Sequence, residues 1–234
     1  DKISESTKVT TSTWENNLND LDVVFTSSNQ ANFTSATSSG AFFIDVHNDA
    51  TTSSIQYSVA YGNKNGSGSL AFNSAATSFS PTSVVYNQYR QLVYGDRSTN
   101  FTFNGHTPNG IYVINVNRAR YKHNLKPGTL NLHLTGSQPG LTHKLHLTDD
   151  SITTTGSATI TNAGRQYNIV SGSNGVMSGS NLTQVTNSGS YGLFYPDSGF
   201  IILNPSAIGD STLGFNELTG SENQNSADNN HETL

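Results

Sequence analysis

The sequence predicts a mainly β protein, built as an antiparallel sandwich or barrel-like sheet with about one helix, with an α+β arrangement as the alternative. Short apolar runs, either alternating or continuous, recur between segments rich in Gly, Asn and Ser. Ser, Thr and Asn number 32, 28 and 28 of 234 residues, and these residues are unfavourable inside helices. A single stretch has helical spacing. About ten short strands and one helix are therefore expected.

Composition excludes several classes of function. The formal net charge is −5 and only 12% of residues are charged, which argues against nucleic-acid binding through a strong positive field. Cysteine is absent, so the chain has neither disulfides nor thiolate ligands. No apolar run approaches the roughly 20 residues that cross a bilayer. We expect no nucleic-acid partner and no membrane partner.

Three regions are predicted along the chain: an N-terminal arm at 1–21, a β-rich structural domain at 22–214 and a polar tail at 215–234. Trp14 stands out in the arm. It is either an ordinary packed aromatic or a contact on a partner subunit. Strands are predicted at 22–26, 41–46 and 54–61. In the third strand, alternation places four residues on one face: Ile55, Tyr57, Val59 and Tyr61.

A helix is predicted at 84–94, with Ser83 as its N-cap and Gly95 as its C-cap. Its apolar stripe has the spacing i, i+4, i+7 and i+8: Val85, Tyr89, Leu92 and Val93.

The second half of the chain predicts further strands. The nearly continuous apolar run at 111–116 indicates a central strand covered on both faces. Strands also follow at 129–135, 141–147, 157–161 and 166–170. The segments 191–195 and 199–203 flank Pro196, Asp197 and Ser198, whose turn chemistry predicts a β-hairpin.

Neither the histidines nor the acids form a convincing catalytic or metal site. His143 and His146 differ by an odd number, so a regular strand points them to opposite faces. His133 and His146 both face outward and are expected to meet across a hairpin as polar-face residues, not as metal ligands. An alternative is that one outward histidine from each subunit of a trimer converges on its axis. Asp149 and Asp150 are expected to be solvated turn residues.

The most distinctive feature is a basic turn at 117–126, directly after the central strand. It holds four of the 11 Lys and Arg residues. Two interpretations are open. The segment is either a solvated turn with internal Arg–carboxylate pairs, or a contact with another subunit, since Arg is enriched in protein interfaces.

Several segments, in this order, resemble a family of virion structural proteins from large contractile-tailed phages, notably those of marine cyanobacteria. The resemblance runs from about Ser54 to Leu203, and its most specific element is Val116-Asn117-Arg118-Ala119-Arg120. The segments that carry it are 88–93, 111–121, 127–132, 147–151, 166–173 and 191–199.

The resemblance implies a non-enzymatic structural subunit of the virion, in its tail or baseplate, without cofactor. Its partners would be other virion proteins and further copies of the same chain. The expected interface residues are Trp14, Arg118, Arg120, Tyr121, Lys122 and Lys126. The alternative is a carbohydrate-binding module of a phage fibre or capsid. Its sugar platform would use Tyr86, Tyr89, Tyr94, Tyr121 and Tyr191.

Overall fold

The computed structural model describes residues 43–47, 55–65, 82–135, 144–153, 158–178 and 189–209. The predicted strand at 22–26, the two terminal regions and Trp14 lie outside these residues. The described strands are β1 (Phe43–His47), β2 (Ile55–Asn63), β3 (Gly110–Val116), β4 (Leu132–Thr135), β5 (Lys144–Asp149), β6 (Thr159–Thr161), β7 (Gly164–Ser173), β8 (Val176–Met177), β9 (Gly192–Tyr195) and β10 (Phe200–Leu203). The helices are α1 (Thr82–Tyr94) and the short α2 (Pro205–Ile208).

Within the described residues the strands form one curled antiparallel sheet. Eight of them lie in the order β1-β2-β3-β10-β9-β7-β5-β4, and β6 and β8 each pair with β7. The prediction of a mainly β chain with a barrel-like antiparallel sheet and about one helix is confirmed. The hairpin of β9 and β10 lies between β3 and β7. Residues late in the chain therefore join the two halves of the sheet.

The central strands are buried on both faces. In β3, Ile111 and Val113 belong to one core cluster, whereas Tyr112, Ile114 and Val116 belong to the other. The alternation follows from the two-residue period of a strand. The nearly continuous apolar run at 111–116 therefore reflects burial on both faces of the sheet, as predicted.

Helix α1 packs on one of these two faces through Tyr86 and Val93, both fully buried. The predicted stripe is wrong in one member, because Leu92 is 45% exposed. Tyr86 takes the space instead, and its hydroxyl accepts a hydrogen bond from the backbone N–H of Phe101 at 3.2 Å. Ser83 is not the N-cap, since the helix already begins at Thr82.

Gly95 ends α1 as predicted. Its φ is +74°, a left-handed conformation that favours glycine, and its N–H donates to the Gln91 carbonyl at 2.9 Å.

The β9–β10 hairpin is confirmed, with Tyr195 opposite Phe200. The Gly199 N–H donates to the Tyr195 carbonyl at 2.9 Å, and Gly199 has a φ of +73°. The hairpin's apolar residues divide between the two core clusters: Leu193, Tyr195, Phe200 and Ile202 on the side of α1, and Phe194, Ile201 and Leu203 on the other. This hairpin also supports the basic turn.

Candidate functional site

The basic turn, residues 117–126, begins where β3 ends. Arg118–Arg120 form one turn of 3-10 helix. The Asn117 side chain accepts a hydrogen bond from the Ala119 N–H at 2.9 Å and so caps this turn. The Asn117 N–H in turn donates to the Gln56 carbonyl of β2 at 2.9 Å. The start of the basic turn is therefore tied to the neighbouring strand.

Arg118 closes the turn on itself. Its guanidinium donates hydrogen bonds to the backbone carbonyls of Tyr121 and Lys122. Its Cζ also lies 4.6 Å from the centre of the Tyr121 ring, a cation–π arrangement. The pattern of Arg and Lys in the sequence carries no sign of this role, because the acceptors are backbone carbonyls. Arg118 is a positioning residue for the segment that follows it.

The middle of the turn rests on the β9–β10 hairpin. The Tyr121 hydroxyl donates to the Ser198 carbonyl at 3.1 Å. Gly199 leaves the space for the ring: a Cβ on residue 199 would lie 2.2 Å from the Tyr121 hydroxyl oxygen. Tyr121, predicted as an interface residue, thus has a documented partner within its own chain.

The far end of the turn is anchored by Leu125. Its N–H donates to the Pro196 carbonyl at 2.9 Å, and its side chain is buried in a core cluster. The turn is consequently fixed at its start, middle and end. Between these anchors, Lys122 and Lys126 are exposed to solvent and Arg120 is half-buried.

The sequence around this turn contains basic residues but no acidic ones. Residues 97–148 contain six of the 11 Lys and Arg residues and five of the seven His residues, but no Asp or Glu. The interpretation as internal Arg–carboxylate pairs is wrong for Arg118, because its guanidinium donates to two backbone carbonyls.

A carboxylate outside this stretch supports the hairpin. Asp197 and Arg165 form a salt bridge of 2.6 Å between Oδ1 and Nη2, and the Arg165 N–H donates to Oδ2 at 2.8 Å. The Asn124 side chain, in the basic turn, also hydrogen-bonds to Asp197. The bonds from Arg165 hold the pKa of Asp197 below its ordinary value.

Replacing Asp197 with Asn should cost about 1 kcal/mol of unfolding free energy at pH 7, the scale of a partly exposed bidentate pair. A lowered folded-state pKa stabilises the fold above the ordinary pKa near 4, and this stabilisation disappears as the pH falls through the lowered value. Denaturant unfolding at pH 7 and pH 3 should therefore show a smaller difference from wild type at pH 3. Arg165→Gln should give the same loss, and the double variant should add nothing further. An equal deficit at both pH values would contradict the ion-pair account.

The prediction that Asp149 and Asp150 are solvated turn residues is wrong, because both are buried. Asp149 is fully inaccessible and accepts hydrogen bonds from the N–H groups of Gly128 at 2.6 Å and Leu130 at 3.1 Å, and from the Ser151 hydroxyl. It therefore fastens the segment that follows the basic turn to the end of β5. Sequence reasoning missed this role, since a carboxylate's backbone partners are set by tertiary structure.

Asp150 has a different environment. It accepts from the backbone N–H of Asn168 at 2.9 Å and from its side-chain amide at 3.0 Å. Burial raises the pKa of Asp150, the negative charge of Asp149 raises it further, and the bonds from Asn168 oppose both effects. The two carboxylates therefore have separate partners: Asp149 holds the segment that contains Gly128 and Leu130, and Asp150 bonds to Asn168 of β7.

The tyrosines proposed for a sugar platform are packed in the protein. Tyr86 is fully buried and Tyr191 is 6% exposed. Tyr89 and Tyr94 pack against the cluster beneath α1, and Tyr121 packs against the opposite one. A sugar ring needs an accessible aromatic face, so these residues do not form a shared platform.

The prediction that His133 and His146 face outward and meet across a hairpin is confirmed. His133 and His146 are exposed and lie directly opposite each other on β4 and β5. His143 lies outside the described residues. Among residues that the structure describes, no group of three or more His, Asp or Glu side chains is placed to hold a metal ion. Among the same residues, no helix is both long and apolar enough to span a membrane.

No protein-family model matches the chain, and no curated protein or solved structure matches it.

Proposed function

We propose that the chain is a non-enzymatic structural subunit of a contractile-tailed phage virion, in its tail or baseplate, and acts through protein–protein contacts. The observation that carries the proposal is the basic turn. In a chain with few charges, it holds four Lys and Arg residues on a backbone fixed at three points.

A fixed cationic turn is suited to a protein contact. A loop that is already ordered loses little conformational entropy when it binds. Lys122 and Lys126 present exposed ammonium groups from this backbone. Their natural partners are carboxylates, because opposite charges across an interface guide association and exclude wrong partners.

Another copy of the chain can supply such carboxylates. Residues 210–234 contain five Asp and Glu residues and no Lys or Arg. We therefore include homo-oligomerisation in the proposal, alongside contacts with other virion proteins. Making the turn acidic and this segment basic would distinguish the two kinds of partner. The double change should restore a contact between copies of the chain, but not a contact with another virion protein.

The decisive variant is Lys122→Glu combined with Lys126→Glu. Both side chains are exposed, so the isolated protein should fold normally, and like charges should now repel an acidic partner. We expect at least a tenfold loss of the subunit from assembled phage particles, measured by quantitative mass spectrometry of purified virions.

The matched control is Lys64→Glu with Arg97→Glu, which makes the same change in net charge outside the basic turn. It should assemble normally. Arg118→Glu is unsuitable for testing the contact, because it removes the hydrogen bonds from Arg118 to the carbonyls of Tyr121 and Lys122 that shape the turn. Normal incorporation of the Lys122/Lys126 variant would sink the proposal, and selective glycan binding by the purified chain would replace it with the carbohydrate-binding alternative.

A further inference from the structure

The outward face of the β4–β5 hairpin carries two histidines in direct register. His133 on β4 pairs with His146 on β5. Both side chains are exposed, and their rings stack with centroids 4.0 Å apart and planes inclined by 25°. The fold has thus brought two imidazoles together from strands that are separate in sequence.

Neighbouring side chains orient one of these rings. The Asn131 Oδ1 lies 3.0 Å from His133 Nε2 and also accepts a hydrogen bond from the Ser173 hydroxyl at 3.1 Å. An amide oxygen only accepts hydrogen bonds, so this contact suits the tautomer that carries its proton on Nε2 and offers Nδ1 to a metal ion. Metal-bound histidines in proteins typically have such an oxygen partner on their other nitrogen.

We propose that His133 and His146 form a two-imidazole site for one divalent transition-metal ion of the zinc, nickel and copper class. Imidazole suits these ions, whereas calcium and magnesium need several oxygen ligands. Metal–nitrogen bonds are about 2.0–2.1 Å long, so two nitrogens on one ion lie roughly 3 Å apart. The stacked ring planes are nearly parallel, so both rings must turn about their broad terminal torsions before a nitrogen of each reaches the same ion.

This site differs from the one that strand parity excludes. His143 and His146 have opposite parity along one strand, whereas His133 and His146 face each other across two strands. Two protein ligands leave the remaining coordination positions to water. The site is independent of the basic turn and of the proposed structural function.

The test is titration of the full chain with ZnCl2, NiCl2 and CuCl2 by isothermal calorimetry. His133→Ala and His146→Ala should each weaken binding at least tenfold. The double variant should be no weaker than either single variant, because one imidazole alone is a poor site. Circular dichroism should show that all three variants remain folded, since both side chains are exposed.

His123→Ala, which removes an exposed histidine of the basic turn, is the matched control and should bind like wild type. Electron paramagnetic resonance of the copper complex should show two nitrogen ligands in the wild type and fewer in each single variant. Unchanged binding in His133→Ala and His146→Ala would overturn the proposal, as would loss of binding in His143→Ala while the pair variants still bind.

Discussion

Asp149→Ala should destabilise the protein by about 3 kcal/mol, because it removes an acceptor that cannot be replaced by water. The carboxylate is fully buried and accepts from Gly128, Leu130 and Ser151. Without it, two backbone N–H groups keep the cost of desolvation and lose their partner. Urea unfolding monitored by circular dichroism would measure the loss. The N–H groups of Gly128 and Leu130 should also exchange hydrogen faster.

Asp96→Ala is the matched control. Asp96 also accepts from two backbone N–H groups, those of Ser98 and Thr99 at 2.6 and 2.7 Å, and these bonds lower its pKa to about 2. The site is exposed, so water replaces the carboxylate and the loss should be much smaller. Asp149→Asn should lie between the two, since its amide keeps one accepting oxygen. Equal losses for Asp149→Ala and Asp96→Ala would contradict the role of burial.

Phe200→Ala should cost about 3–5 kcal/mol, the range for removing a fully buried aromatic. Phe200 is 1% exposed and stacks on Tyr195, with ring centroids 4.6 Å apart. It also contacts Tyr89 of α1 at 5.4 Å between centroids. The substitution leaves a cavity between the hairpin and the helix, so both elements lose packing. The midpoint of urea denaturation should fall accordingly.

Two companion variants test that explanation. Phe200→Leu preserves most of the volume and should cost about 1 kcal/mol. Val176→Ala alters a side chain that is 70% exposed and should change the unfolding free energy by less than about 0.5 kcal/mol. A loss for Phe200→Ala no greater than that for Phe200→Leu would show that the cavity does not set the cost.

The sequence predicts those elements whose own apolar pattern or turn residues determine their structure. The run at 111–116 has the predicted structure because its nearly continuous apolar residues need cover on both faces. The hairpin of β9 and β10 has the predicted structure because residues 196–198 favour a turn. The pattern does not show which of Leu92 and Tyr86 is the more buried. Both fit the helical spacing approximately, and the choice depends on where Phe101 lies beneath the helix.

The candidate site could be located from sequence but not understood. The clustering of positive charge identifies the basic turn. The hydrogen bonds from Arg118, however, depend on two carbonyls that come together only when the turn has folded. The burial of Asp149 likewise depends on the path of the segment that contains Gly128 and Leu130. Polar side chains that bond to distant backbone groups leave no periodic signal in the sequence.

The support of the basic turn has a consequence for biosynthesis. Tyr121 and Leu125 are anchored to Ser198 and Pro196, more than 70 residues later in the chain. Contacts this distant in sequence form late, because a long loop must close first. On the ribosome, the cationic turn leaves the exit tunnel well before its support has been synthesised. The shape of the turn is therefore completed only when the β9–β10 hairpin has folded, so a partly synthesised chain does not yet present it.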